Sequence, residues 1–77
     1  MKKVIFYKQI QNLGGGTSAS NFYKHKSSKD FFIIEHQFET DIDPKGIVID
    51  VNDNLYFVKF TILDFINNTY HCLVSTY

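Results

Sequence analysis

Apolar and polar positions alternate along most of the chain after residue 30, and a two-residue period predicts strands. Over Phe31–Glu39, Phe32, Ile34, His36 and Phe38 fall on one face, with Glu35, Gln37 and Glu39 opposite, as in a half-buried strand. Asp43-Pro44-Lys45-Gly46 then suits a type I turn, with Asp at i, Pro at i+1 and Gly at i+3. Ile47–Val51 follows as a short strand with Ile47, Ile49 and Val51 inward, and Asn52-Asp53-Asn54 makes a tight turn because Asn and Asp tolerate the left-handed region. Leu55–Leu63 is the longest strand: Tyr56, Val58, Phe60 and Ile62 share one face, while Leu55, Phe57 and Leu63 share the other with Lys59 and Thr61. Asn67-Asn68 suits a second hairpin turn, and Tyr70–Tyr77 closes the chain as a strand with Tyr70, Cys72 and Val74 aligned. Upstream, Lys2–Gln11 reads as a strand with apolar groups on both faces, ended by the entropic cost of Gly14-Gly15-Gly16. Thr17–Lys29 is small and polar except for Phe22-Tyr23, and reads as a loop or a short helix capped by Ser18 or Ser20.

The pattern predicts one all-β domain over residues 1–77. About five short antiparallel strands form a meander, curled or closed into a small SH3-like or OB-like barrel, with a Gly-rich loop or short helix at 13–30. The hairpin pattern Gly46-Ile47-Val48-Ile49-Asp50-Val51, a turn, then Leu55-Tyr56-Phe57-Val58-Lys59-Phe60 resembles the middle hairpin of SH3-like small barrels. Such barrels host unrelated activities, so the resemblance implies a shape and no function. Strands 2–11, 55–63 and 70–77 carry apolar groups on both faces. Residues 13–30 or another chain must therefore cover the outer face, and Leu55, Phe57 and Leu63 are the patch an interface would use.

Composition narrows the function. Hydrophobic residues make up 44% and charged residues 21%, which excludes disorder along the whole length. Net charge is zero, which excludes a strongly acidic nucleic-acid mimic and a histone-like basic protein. Within that zero, residues 1–30 hold six lysines against one acid, and residues 31–77 hold two lysines against seven acids. Every cation is Lys; the bidentate fork of Arg, the usual reader of guanine and phosphate, is missing. The single cysteine excludes an internal disulfide and a Cys-based zinc site. No apolar run reaches the roughly 18–20 residues of a membrane span, and Lys8 interrupts the first apolar stretch too early for a signal peptide. The expectation is a soluble, cytoplasmic protein with no membrane partner.

Phe22-Tyr23-Lys24-His25-Lys26-Ser27-Ser28-Lys29 is the strongest functional segment. Its aromatics beside lysines suit a protein interface, with Phe22 and Tyr23 as anchors and Lys24, Lys26 and Lys29 around them; Phe57 marks a second contact face. The same residues suit stacking and phosphate neutralisation on a single-stranded nucleic acid, and a mobile loop with Phe22 tucked into the sheet is the plainer outcome. Gly14-Gly15-Gly16-Thr17-Ser18 lacks the Gly-Lys-Ser/Thr ending of a phosphate loop and reads as a surface loop. His25, His36 and His71 lack metal spacing, and Asp50–Asn54 imitates a calcium loop only until Leu55 and Thr61 replace the required Gly and Glu. Cys72 and His71 are strand neighbours facing opposite ways, so Cys72 reads as a buried, inert thiol. No catalytic, metal or cofactor set emerges, and the sequence is read as non-enzymatic. In size and aromatic richness it resembles small phage and mobile-element accessory proteins of the anti-CRISPR type, which implies an inhibitor that blocks a host or defence factor sterically. A nucleic-acid-binding small barrel and a homo-oligomeric structural protein are the alternatives.

Overall fold

The computed structural model describes residues 1–10 and 18–77, leaving aside the side chains of Phe32 and Glu35. Most of the expected Gly-rich loop, Gly14 to Thr17, lies outside the described residues. The elements in chain order are β1 (Lys2–Gln9), α1 (Ala19–His25), β2 (Phe31–Thr40), β3 (Val48–Val51), β4 (Asn54–Asp64) and β5 (Thr69–Thr76). The five strands form one sheet in the order β2-β1-β5-β4-β3. The all-β reading holds, and the meander is β3-β4-β5, antiparallel throughout. The remaining seam differs: β1 pairs antiparallel with β2 but parallel with β5, from Lys3↔Thr69 to Lys8↔Val74. The sheet is therefore mixed.

Topology makes it curl. β2 and β3 are the two edge strands, yet only residues 41–47 join them. Flat, five strands would hold their edges about 19 Å apart at roughly 4.8 Å per gap. A turn consumes part of the connector's reach, and Pro44 within it is fully buried, so the edges must approach one another. That turn closes one residue later than the expected type I turn: Ile47 N–H donates to Pro44 O (3.3 Å), Gly46 takes the left-handed position (φ 82°), and Asp43 Oδ1 accepts from Lys45 N–H (2.9 Å). Asn52 and Asp53 both adopt positive φ in the β3–β4 turn, as their residue types predict.

Two apolar clusters sandwich the sheet. The first unites Val4 and Phe6 of β1, Ile34 of β2, Ile49 and Val51 of β3, Val58 of β4 and Tyr70, Cys72 and Val74 of β5, with Phe38, Tyr56 and Leu63 against them. The second holds Tyr7, Phe31, Leu73 and Phe22 of α1, with Ile5, Phe60 and Ile62 against them. The expected single face of Tyr56, Val58, Phe60 and Ile62 is thus divided. Val58 pairs with Val74 and Phe60 with Leu73, so Lys59 is an extra residue, a β-bulge that reverses the facing of everything after it. Leu63 accordingly moves from the expected outer patch to the first cluster. Segment 18–30 is the short helix, with Ser18 as its N-cap accepting from Asn21 N–H (3.2 Å). No helix among the described residues is long and apolar enough to cross a membrane.

Candidate functional site

Phe22 and Tyr23, adjacent in sequence, point in opposite senses from α1. Phe22 is fully buried, its ring edge-on to Tyr7 (5.8 Å, 64°) and to Phe31 (5.6 Å, 72°). It is a core residue that fastens the helix to the sheet, not a surface contact. Tyr23 is 67% exposed. Lys24 and Lys29 are exposed and Lys26 is half-buried. Phe57 is 37% exposed on the face opposite Tyr56 and Val58, beside its cross-strand partner Val48 and its strand neighbour Leu55. The structure brings Tyr23 and Lys26 together, and leaves Phe22, Lys24, Lys29 and Phe57 out of that site.

What Tyr23 and Lys26 meet is the β4–β5 turn. Together with Ile62, Leu63, Asp64, Phe65 and Ile66 they line an open groove of about 310 Å³. Phe65 and Ile66 are 83% and 94% exposed, the extreme apolar exposures among the described side chains. The turn is nonetheless well built. Asp64 Oδ1 accepts from the backbone N–H groups of Ile66 (3.0 Å) and Asn67 (3.2 Å), and Asp64 Oδ2 accepts from Asn67 Nδ2 (2.7 Å). Asn68 sits at positive φ and donates through Nδ2 to Met1 O (2.9 Å), while Thr69 Oγ1 donates to Asn67 O (2.9 Å). The Asn67 amide bonds hold the Asp64 carboxyl below its ordinary pKa. With the backbone groups satisfied inward, Phe65 and Ile66 project outward. Sequence reasoning missed both. Their signal was an apolar pair between the polar turn residues Asp64 and Asn67-Asn68, where no sheet face exists to bury it.

Asp64 also ends a polar chain running into the sheet. Tyr7 Oη and His71 Nδ1 are hydrogen-bonded (2.7 Å), and His71 Nε2 faces Asp64 Oδ2 at 4.0 Å. Burial raises the Tyr7 pKa, helped by Cys72, so the Tyr7 hydroxyl stays protonated beside His71. Burial is also the main cause that lowers the His71 pKa, with Lys26 adding to it and Asp64 opposing. The unfolded chain therefore takes up a proton at this histidine at a higher pH than the folded chain does. Stability is expected to be level above about pH 6.5 and to fall as pH drops below it, at no more than about 1.4 kcal/mol per pH unit for one proton. Urea unfolding at about pH 7.5, 6.5 and 5.5, a range that brackets the ordinary histidine pKa, measures this; a His71→Gln variant with the same slope as wild type would refute it.

Of the remaining candidates, Cys72 is buried and its thiol is pushed up to about 12 by burial, with Thr61 Oγ1 3.8 Å away. That is an inert thiol. His36 is exposed on the sheet and stacks at 6.2 Å over Phe6. No family model, curated protein or solved structure matches the chain.

Proposed function

We propose that this chain is a non-enzymatic binding protein that acts through a protein–protein interface centred on Tyr23, Lys26, Phe65 and Ile66. The observation that carries the reading is the pair of nearly bare side chains, Phe65 and Ile66, on a turn ordered by Asp64 and Asn68. Apolar anchors held in place before binding lose little entropy when they bind, and aromatic anchors dominate interface energetics. Tyr23 widens the apolar patch, and Lys26 and Asp64 give it a polar rim. The non-enzymatic part is supported by the tuning of the reactive groups: Tyr7 and Cys72 are held protonated and His71 Nδ1 is engaged by the Tyr7 hydroxyl. In its sharper form the proposal is a cytoplasmic inhibitor of the phage accessory kind, covering a working surface of a host or defence factor. Burial of Phe22 removes one of the two rings that a nucleic-acid reading of segment 22–29 would stack on bases.

The test compares wild type with a Phe65→Ser/Ile66→Ser variant as baits in the native host cells, followed by titration of the captured protein. Affinity is expected to drop more than about tenfold, since each anchor is worth on the order of 2 kcal/mol. The melting temperature should stay unchanged, because neither side chain is buried. A partner retained equally by both baits would overturn the assignment. Light scattering that showed a dimer dispersed by the same variant would turn the surface into a self-association site.

A further inference from the structure

The sheet face that α1 covers is longer than the helix. Seven helical residues span about 10 Å, whereas the eleven residues of β4 run about 36 Å. The covered end of β4 holds Phe60 and Ile62, packed with Phe22 and Leu73 in the second cluster. The other end is bare. There Leu55 and Phe57 face the same way, two residues apart, with Val48 of β3 beside Phe57 and Asp50 beside Leu55. Leu55 is 51% exposed, Val48 43% and Phe57 37%. A single exposed apolar residue is ordinary on a protein surface. Three on adjacent positions of one face make a patch, where the solvated side of an antiparallel pair is normally polar.

Charge says what fits the patch. Lys59 marks the boundary between the covered and the bare end. It follows Phe57 by two residues on the same side of β4, because the parity reverses only after it, and its Nζ is 5.9 Å from the Phe60 ring. Asp50 is exposed at the far end, beside Leu55. Among the described residues neither Lys59 nor Asp50 makes an ion pair. The patch thus has a cation at one end and an anion at the other, with Phe57 midway along β4 between Lys59 and Leu55. A surface of this kind complements itself when turned end for end. A two-fold axis through Phe57 and across the strands sets Phe57 and Val48 of two copies over each other. It brings Lys59 of each copy over Leu55 of the other, one strand spacing of about 4.8 Å to the side of Asp50, within reach of a long side chain. An axis along the strands would stack Lys59 on Lys59, which like-charge repulsion opposes.

We propose that Val48, Leu55 and Phe57 form a self-association surface that a second copy of this chain covers, with Asp50 of each copy paired to Lys59 of the other. The test is sedimentation equilibrium of the full chain over about 10–1,000 µM, the range suited to a small interface. A reversible monomer–dimer equilibrium is expected. A Leu55→Ser/Phe57→Ser variant should raise the dimer dissociation constant more than about tenfold, since it removes the apolar centre. Asp50→Lys alone and Lys59→Glu alone should each raise it about tenfold, because each turns two symmetric attractions into repulsions. The Asp50→Lys/Lys59→Glu variant should return to the wild-type value. Should the serine variant not fold, the charge variants decide the matter, with Asp50 exposed and unpaired in the monomer. The Phe65→Ser/Ile66→Ser variant should dimerise as wild type does, which separates this surface from the docking turn. A chain that stays monomeric throughout would overturn the proposal and leave the bare face to an unlike protein. A dimer indifferent to Leu55 and Phe57, or a charge exchange that fails to restore association, would overturn it as well.

Discussion

Replacing Phe22 by Ala is expected to destabilise the fold by about 3–5 kcal/mol, the usual cost of emptying a buried phenylalanine site. Phe22 is fully buried, and its ring touches Tyr7 and Phe31 edge-on at the centre of the second cluster. Two circumstances push the loss to the upper part of that range. α1 has seven residues, too few to persist alone when isolated helices need about 12–15, so its helicity depends on this anchor. The helix also covers one face of the sheet, so undocking it bares Leu73 and Tyr7 as well. Small domains hold about 5–15 kcal/mol in total, and one of 77 residues belongs at the lower end. Phe22→Ala should therefore leave a chain that is partly unfolded at room temperature, seen as a lower urea midpoint and lost helix resonances. Tyr23→Ala, one residue on and 67% exposed, should change stability by no more than about 0.5 kcal/mol. Equal, small effects of the two substitutions would mean that α1 does not dock through Phe22.

That pair of neighbours shows where sequence reading reaches and where it stops. The turns were legible because their residue types answer a local geometric demand. Asn52, Asp53, Asn68 and Gly46 stand at positive φ, and those types tolerate it. Ser18 as a helix cap and the strand identity of 31–40 and 69–76 were legible for the same reason, since a cap and a two-residue period are local signals. Facing was not legible in β4. With apolar residues at both parities from Leu55 to Leu63, the period cannot locate the position at which the parity reverses, and only the cross-strand register fixes Lys59 as the extra residue. The parallel β1–β5 seam was out of reach too, because alternation tells which face a side chain takes and not which strand lies beside it. For the docking surface, Tyr23 and Lys26 came from a basic, aromatic segment, whereas Phe65 and Ile66 belong to a turn that meets it only in space.

Deleting Lys59 is the sharpest test of that register, and it is expected to abolish cooperative folding. Without the extra residue, the ladder either continues unbroken from Val58 or slips at the turn. In the first case every residue from Phe60 onward exchanges faces. Phe60 and Ile62 would leave Phe22 and Leu73 for the opposite cluster, and Leu63 would turn away from it. Fully burying a side chain of this size contributes about 1.5–3 kcal/mol, and these three are partly buried, so the combined loss is on the order of several kcal/mol. In the second case Asp64 moves out of register with Asn67 and His71, and the bonds that order the turn go with it. Either loss is comparable with the whole stability of a small domain. Lys59→Gln keeps the backbone count and should fold as wild type, with stability changed by no more than about 0.5 kcal/mol at this half-buried site. The measurement is a pair of urea titrations read by far-ultraviolet circular dichroism, with amide NMR spectra of both variants. A deletion variant with a sharp transition and native-like chemical shifts at Phe60, Ile62 and Leu73 would show that the strand carries no extra residue at this point, and the division of β4 between the two clusters would have to be abandoned.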